Sequence, residues 1–224
     1  MEEINVKRLA AEKAVEQVED GMVVGLGTGS TAYWAILKLA SRIKEGLNIK
    51  AVATSNRSEE LARDNGIPIV SFSEISQIDI DIDGADEVDD ENNLIKGGGG
   101  ALLREKIIAS NSTIFLVVVD ESKIKNNLGN FPLPVEIIPF AENLTLQKLV
   151  ALGCKPVIRT ENNHQYITDN GNLIADCQFD KISAPEDLNR KIHMIPGVVE
   201  TGLFTKTMVH KVIIGYKNGI VEVR

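Results

Sequence analysis

Cysteine, histidine and basic charge are all scarce in this chain of 224 residues. The two cysteines, Cys154 and Cys177, are too few for a disulfide framework or a thiolate metal cluster, and read as small buried hydrophobes. The three histidines, His164, His193 and His210, all lie in the second half, away from the acidic segments of the first. A transition-metal site is therefore not expected, although magnesium, which needs only one or two carboxylates, stays open. Lysine and arginine number 24 against 32 acids, a net charge of −8. That excludes nucleic-acid binding through a general basic field, but not a local pocket for a small anion. No apolar run exceeds six residues (32–37 and 114–119), far below the roughly 20 that span a bilayer. Met1-Glu2-Glu3-Ile4-Asn5 lacks the basic and apolar regions of a secretory leader, so a cytoplasmic protein is expected.

What is present is an ordinary globular make-up, 43% hydrophobic and 25% charged, enough for one large domain or two modest ones. The first half alternates helix and strand signals. Val6, Leu9, Ala10, Ala14 and Val18 mark one face of an opening helix ended by Asp20-Gly21. A short apolar run then enters a glycine-rich loop, and Ser30 or Thr31 offers a cap for the next helix. Residues 49–53 and 67–71 read as strands around a helix at 58–65. Ile78, Ile80 and Ile82 alternate with Asp79, Asp81 and Asp83 in a period-two strand. A helix follows Gly100, and residues 114–119 read as a buried central strand. This alternation predicts a parallel sheet covered on both faces.

Near Asn126 the pattern changes, with Gly129, Pro132, Pro134 and Pro139 breaking the chain. A helix at 144–151, a strand at 156–159, a hairpin turned by Asp169-Asn170-Gly171, a helix at 185–192 and a strand at 198–203 suggest a smaller α+β layer. The tail, turning at Lys217-Asn218-Gly219, is expected to rejoin the first sheet.

Four segments carry chemistry. Gly25-Leu26-Gly27-Thr28-Gly29-Ser30-Thr31 lies between a strand and a helix, where converging amides and hydroxyls suit an anion. A dinucleotide fingerprint would want glycine at Ser30 and an acid after the next strand, where Thr54-Ser55-Asn56 stands instead. A tight turn that binds nothing is the alternative. Asp83-Gly84-Ala85-Asp86-Glu87 follows a strand end, and its two aspartates suit sugar hydroxyls or proton transfer; a solvated acidic turn is the alternative. Lys96-Gly97-Gly98-Gly99-Gly100 is entropically costly and makes sense where backbone must approach a ligand closely. Arg104-Glu105-Lys106 then places a carboxylate between cations in a first helical turn, a candidate general base; a surface glutamate is the alternative. Lys123, after the buried strand, and Lys7, in the opening helix, default to solvated positions when read alone.

Together these segments resemble the type A family of ribose-5-phosphate isomerases. The resemblance extends through Phe131-Pro132-Leu133-Pro134-Val135-Glu136, Thr168-Asp169-Asn170-Gly171-Asn172, Ile195-Pro196-Gly197-Val198-Val199-Glu200 and Gly202-Leu203-Phe204, in order over nearly the whole chain. It implies interconversion of D-ribose 5-phosphate and D-ribulose 5-phosphate, with Glu105 shuttling a proton between C2 and C1 through an enediolate. By the same carry-over, Lys96 stabilises oxyanion charge, and Asp83 and Asp86 hold sugar hydroxyls and help open the furanose ring. Thr28, Gly29, Ser30, Thr31, Gly84, Ala85, Gly97, Gly98 and Gly99 bind substrate, with Lys123 and Lys7. The sequence does not divide the lysines between phosphate and reacting carbon. No metal or cofactor is implied, and self-association as a homodimer or homotetramer is. The implied fold is α/β, a Rossmann-like three-layer domain with a parallel-rich sheet (1–128 and 207–224) plus a smaller inserted α+β, ferredoxin-like domain (129–206).

Two rivals share such a sheet. A sugar-phosphate sensor needs no Glu105 beside the glycines and normally carries a DNA-binding module, for which this acidic chain has no basic patch. An acyl-coenzyme A transferase would use a glutamate as nucleophile and form a thioester.

Overall fold

In the computed structural model residues 4–224 are described, so the leader reading of residues 1–3 lies outside the described residues. Along the first half run α1 (Val6–Val15), β1 (Val23–Leu26), α2 (Ser30–Lys44), β2 (Lys50–Ala53), α3 (Asn56–Asp64) and β3 (Ile78–Asp83). Next come β4 (Glu87–Val88), β5 (Leu94–Ile95), α4 (Leu102–Ser110), β6 (Ser112–Asp120), β7 (Leu133–Ile137), α5 (Glu142–Val150) and β8 (Lys155–Ile158). The rest is β9 (Thr160–Glu161), β10 (His164–Gln165), β11 (Leu173–Gln178), α6 (Pro185–His193), β12 (Val198–Thr201), β13 (Leu203–Phe204), β14 (Lys211–Gly215) and β15 (Val221–Val223). No helix among the described residues is long and apolar enough to cross a membrane.

The chain divides into two compact units. The first comprises Met1–Ala85, Arg104–Lys123 and Thr207–Arg224. Its sheet runs in the order β2-β1-β3-β6-β14-β15, the first five strands parallel and β15 antiparallel to β14. The tail thus rejoins the first sheet, as expected. Helices α1 and α2 cover one face through Ala10, Ala14, Ala35, Ile36 and Leu39, against Val24, Leu26, Ile80, Ile82, Leu116 and Val118. On the other face Ile108 of α4 packs with Val52 and Ile78. Three layers result, and β3 is buried on both sides, which is why its period-two aspartates Asp81 and Asp83 are buried with its isoleucines. Chain direction reverses around β1, whose neighbours are β2 and β3. In open α/β sheets that switch point, at the carboxyl ends of the strands, is where ligands bind.

The second unit, Asp86–Leu103 with Ile124–Lys206, is built on β7-α5-β8-β11-α6-β12. Its antiparallel sheet has the order β12-β7-β11-β8, the strand-helix-strand-strand-helix-strand arrangement of a ferredoxin-like layer. Leu149 and Ile192 from the helices close on Leu133, Val135, Ile137, Ala175 and Cys177, with Cys154 in the same core. Both cysteines are free and buried. A three-stranded sheet, β13-β5-β4, completes the unit. Gly202 marks where the chain leaves one sheet for the other: its N–H donates to the Pro134 carbonyl and its own carbonyl accepts from Lys96 N–H.

Several local expectations shift. The compact division places Asp86–Leu103 and residues 124–128 with the second unit, whereas the sequence boundary fell at 128/129. The physical reason is the buried Glu87 carboxylate, which accepts from Gly129 N–H at 2.9 Å and Phe131 N–H at 2.8 Å. Charge-assisted bonds of this kind contribute roughly 1.5–3 kcal/mol each. Residues 67–71 form no strand but a single parallel bridge, Ala51 to Ile69. Helix α3 starts two residues before the expected 58, because Ser55 caps it by accepting from Ser58 N–H. Neither Ser30 nor Thr31 caps α2: its N-cap is Gly29, at φ +106°, with no side-chain bond. The turn at Asp169-Asn170-Gly171 is present, but β11 pairs with β7 and β8 rather than with the strand before the turn.

Candidate active site

The first unit's share of the predicted site sits at the switch point. Strand β1 delivers Gly27 to Gly29 and β3 delivers Asp83, and the two ends are tied together: Asp83 Oδ1 accepts from Thr28 N–H at 3.0 Å and Gly84 N–H at 2.7 Å. Only glycine permits this approach. A Cβ on Gly27 would collide with the Asp83 carboxylate and Cα, and one on Gly25 would lie 2.6 Å from both Asp81 Oδ1 and Ile108 Cγ2. The loop glycines are thus steric requirements of two buried acids on the neighbouring strand, as well as turn formers.

The Thr28 hydroxyl faces inward. It lies 2.7 Å from Thr54 Oγ1 and donates to Ser55 Oγ at 2.8 Å, while Ser58 Oγ donates to the Gly27 carbonyl at 2.7 Å. With its N–H given to Asp83 and its hydroxyl in this knot, Thr28 shapes the loop. Of the three hydroxyls offered to an anion, that of Thr28 is engaged with Thr54, Ser55 and Ser58. Thr54, Ser55 and Ser58, which the sequence had offered only as evidence against a dinucleotide site or as a helix start, are the residues that brace the loop. Beyond it, the first-turn amides of α2 have no acceptor within their own helix. Lys7 Nζ donates to Ser30 Oγ at 2.8 Å, which brings that lysine to the loop. Lys123 is half-buried in a short turn after β6 and makes no hydrogen bond to these groups among the described residues.

Glu105 lies in the first turn of α4 and is only 3% exposed. A surface role is thereby ruled out, and the helix dipole favours an anion at this position. Arg104 Nη1 donates to Asn56 Oδ1 at 2.9 Å, tying the start of α4 to α3.

The second unit carries the other predicted residues. Lys96 is 2% exposed, its backbone held by Gly202 and its ammonium 5.4 Å from the Phe204 ring centroid, a cation–π distance. Asp86 Oδ2 accepts from Gly98 N–H at 2.7 Å, so this aspartate fixes the glycine loop directly. Gly97 and Gly100 take φ of +99° and +83°, conformations that other residues rarely adopt. Glu136, the acid of the Phe131–Glu136 motif, is fully buried and accepts through Oε1 from Thr168 Oγ1, Asn170 Nδ2 and Asn172 Nδ2 at 2.8–3.2 Å. It secures the turn of the second unit. Among the described residues no three or more His, Cys, Asp or Glu gather as metal ligands.

The ribose 5-phosphate isomerase A (phosphoriboisomerase A) family matches residues 50–219. The ribose-5-phosphate isomerase A of Bacillus thuringiensis subsp. konkukian is 55% identical over 98% of this chain and all of its own length. That of Oceanobacillus iheyensis is 48% identical over 98% of both. The solved ribose 5-phosphate isomerase A of Methanocaldococcus jannaschii superposes with a TM-score of 0.93 at 44% identity, over 98% of each chain. A D-ribose-5-phosphate isomerase solved in complex with phospho-erythronic acid superposes at 0.94, with 40% identity over 100% of this chain and 99% of its own. Extended over the full chain and agreeing in both sequence and fold, these matches establish that the chain belongs to the ribose 5-phosphate isomerase A family.

Proposed function

We infer that this chain interconverts D-ribose 5-phosphate and D-ribulose 5-phosphate, an aldose–ketose isomerisation of the non-oxidative pentose phosphate pathway, with Glu105 as its base. Asp83 and Asp86 hold sugar hydroxyls and assist ring opening. Glu105 then removes the C2 proton of the open-chain aldose, leaving an enediolate with charge on O1. The same carboxyl returns the proton to C1 while the O2 proton passes to O1, giving the ketose. Lys96 stabilises the oxyanion as it forms, a fixed positive charge in place before the reaction. The α2 amides from Gly29 to Thr31, with Lys7 and Lys123, receive the phosphate, Gly84 and Ala85 line the sugar, and Gly97 to Gly99 approach it with backbone.

The observation that carries this reading is the burial of Glu105 in the first turn of α4, which begins at Leu102, two residues after the last of the four glycines. A carboxylate withdrawn from water is matched to taking a proton from carbon, and water exclusion protects the enediolate. The relative solved with phospho-erythronic acid supports the intermediate. That acid's carboxylate carries delocalised charge on a planar carbon, as an enediolate does, and a site built for the intermediate binds such a mimic tightly.

No step calls on a metal or redox cofactor. Ribulose 5-phosphate should therefore form from ribose 5-phosphate at an undiminished rate in EDTA. A protein that binds the sugar phosphate without turning it over would support the sensor instead, and a thioester with coenzyme A the transferase. The same reading has a cytoplasmic enzyme acting on a small sugar phosphate as a homodimer or homotetramer, with no nucleic-acid or membrane partner.

A further inference from the structure

We propose that Arg159, anchored by Asp176 and assisted by Tyr166, is the positioning residue that sets the glycine loop 97–100 for catalysis. The inference rests on the isomerase reading above. Arg159 lies between β8 and β9, its N–H bonded to the Ile174 carbonyl and its carbonyl accepting from Tyr166 N–H. Its guanidinium is aimed by a two-point pair with Asp176: Nε to Oδ2 at 2.9 Å and Nη2 to Oδ1 at 2.5 Å. A fork held in this way has little freedom left to lose.

The remaining nitrogen, Nη1, donates to the Gly97 carbonyl at 2.9 Å and the Gly98 carbonyl at 3.1 Å. Tyr166 Oη donates to the Gly99 carbonyl at 3.4 Å, and its ring stands 5.9 Å from the guanidinium carbon. Three consecutive carbonyls are thus held by the Arg159–Tyr166 pair. Among the described residues no peptide bond is cis, so the N–H that shares a peptide unit with the Gly98 carbonyl, that of Gly99, points away from Arg159. Gly98 N–H goes to Asp86 and Gly100 N–H to the Gly97 carbonyl. The Gly99 N–H is turned away from Arg159 by the same geometry, as a backbone donor for substrate. A cation on the far carbonyl also polarises that peptide unit and strengthens its donor.

This explains why a run of glycines can be part of a precise site. Four such residues are the most flexible backbone available, yet Gly98 is gripped through its N–H by Asp86 and through its carbonyl by Arg159. Gly100 is confined as well, since a Cβ there would run into the Tyr166 ring and hydroxyl. The loop keeps the close approach that glycine allows and loses the disorder that glycine brings. Misplacement by about 1 Å in such a loop costs up to about a hundredfold in rate.

The test uses the full-length protein. Arg159→Met should lower kcat for ribose 5-phosphate by about ten- to a hundredfold and weaken inhibition by phospho-erythronic acid by a similar factor. Inhibition by inorganic phosphate, which reads the first unit's loop, should change less than about twofold, because that loop is built without Arg159. Asp176→Asn should produce a smaller loss of the same kind, and adding it to Arg159→Met should cost little more, since both act through one contact. Arg159→Lys serves if the methionine variant does not fold. A lysine reaches one carbonyl and cannot keep the two-point pair, so a partial loss with the same selectivity is expected. Variants that keep kcat and analogue inhibition at the native values overturn the proposal. So does an equal loss of phosphate and analogue binding, which marks general damage. A native protein that does not isomerise ribose 5-phosphate at all would instead overturn the reading on which the proposal rests.

Discussion

Glu105→Gln is expected to lower kcat for ribose 5-phosphate by about 10²–10⁴ while KM stays within about threefold. Glutamine keeps the size and the hydrogen-bonding shape of the side chain but cannot accept a proton from carbon. The substitution sits in a helix that retains its other anchors, Ile108 packed against Val52 and Ile78 and Arg104 bonded to Asn56. A fold-level effect is therefore small, and the deficit falls on the chemical step. Steady-state kinetics with circular dichroism on the same preparations checks it. Activity that survives in the glutamine variant would keep the isomerase and remove Glu105 as its base.

Lys96→Met carries the second large effect, a loss in kcat of about 10²–10³ from removing one preorganised charge at the developing oxyanion. Methionine keeps most of the apolar stem and removes the ammonium that stands 5.4 Å from the Phe204 ring centroid. The backbone bond from Lys96 N–H to the Gly202 carbonyl is unaffected by the side chain. A variant that unfolds cooperatively like the native chain but turns over hundreds of times more slowly would place the lysine's role in the transition state. A raised KM with kcat unchanged would instead make Lys96 a contact felt equally by substrate and transition state.

Much of this architecture was legible in the sequence because it rests on short-range rules. The loop between β1 and α2 announces itself by glycine spacing, and β3 by strict alternation of isoleucine and aspartate. The alternation alone implies one polar face. That the aspartates are buried follows from the position of β3 between β1 and β6, which only the assembled sheet reveals. Residues 67–71 carried the apolar run of a strand, but a strand also needs a partner along its length, and here only Ile69 finds one.

The site shows the same divide. Glu105, Lys96, Asp83 and Asp86 stood out as candidates from residue type beside glycines. The inward turn of the Thr28 hydroxyl did not, since it depends on Thr54, Ser55 and Ser58 arriving from the next strand end. Arg159 left no local signal at all. The loop partners it grips are backbone carbonyls of glycines 61 and 62 positions earlier, and a carbonyl has no signature in sequence. Glu87 read as part of an acidic turn, yet it works as a clamp on Gly129 and Phe131, which moved the unit boundary.

The central claim is that one carboxylate moves a proton between C2 and C1 through an enediolate. The most direct test is to let the native enzyme equilibrate ribose 5-phosphate with ribulose 5-phosphate in deuterium oxide over many turnovers and read the sugar by NMR. The proton carried by Glu105 exchanges with solvent in a fraction of turnovers, so deuterium should accumulate at C1 of ribulose 5-phosphate and C2 of ribose 5-phosphate. Glu105→Gln should slow that accumulation together with turnover. Full retention of the original hydrogen after many turnovers would show direct transfer from C2 to C1 and contradict the account.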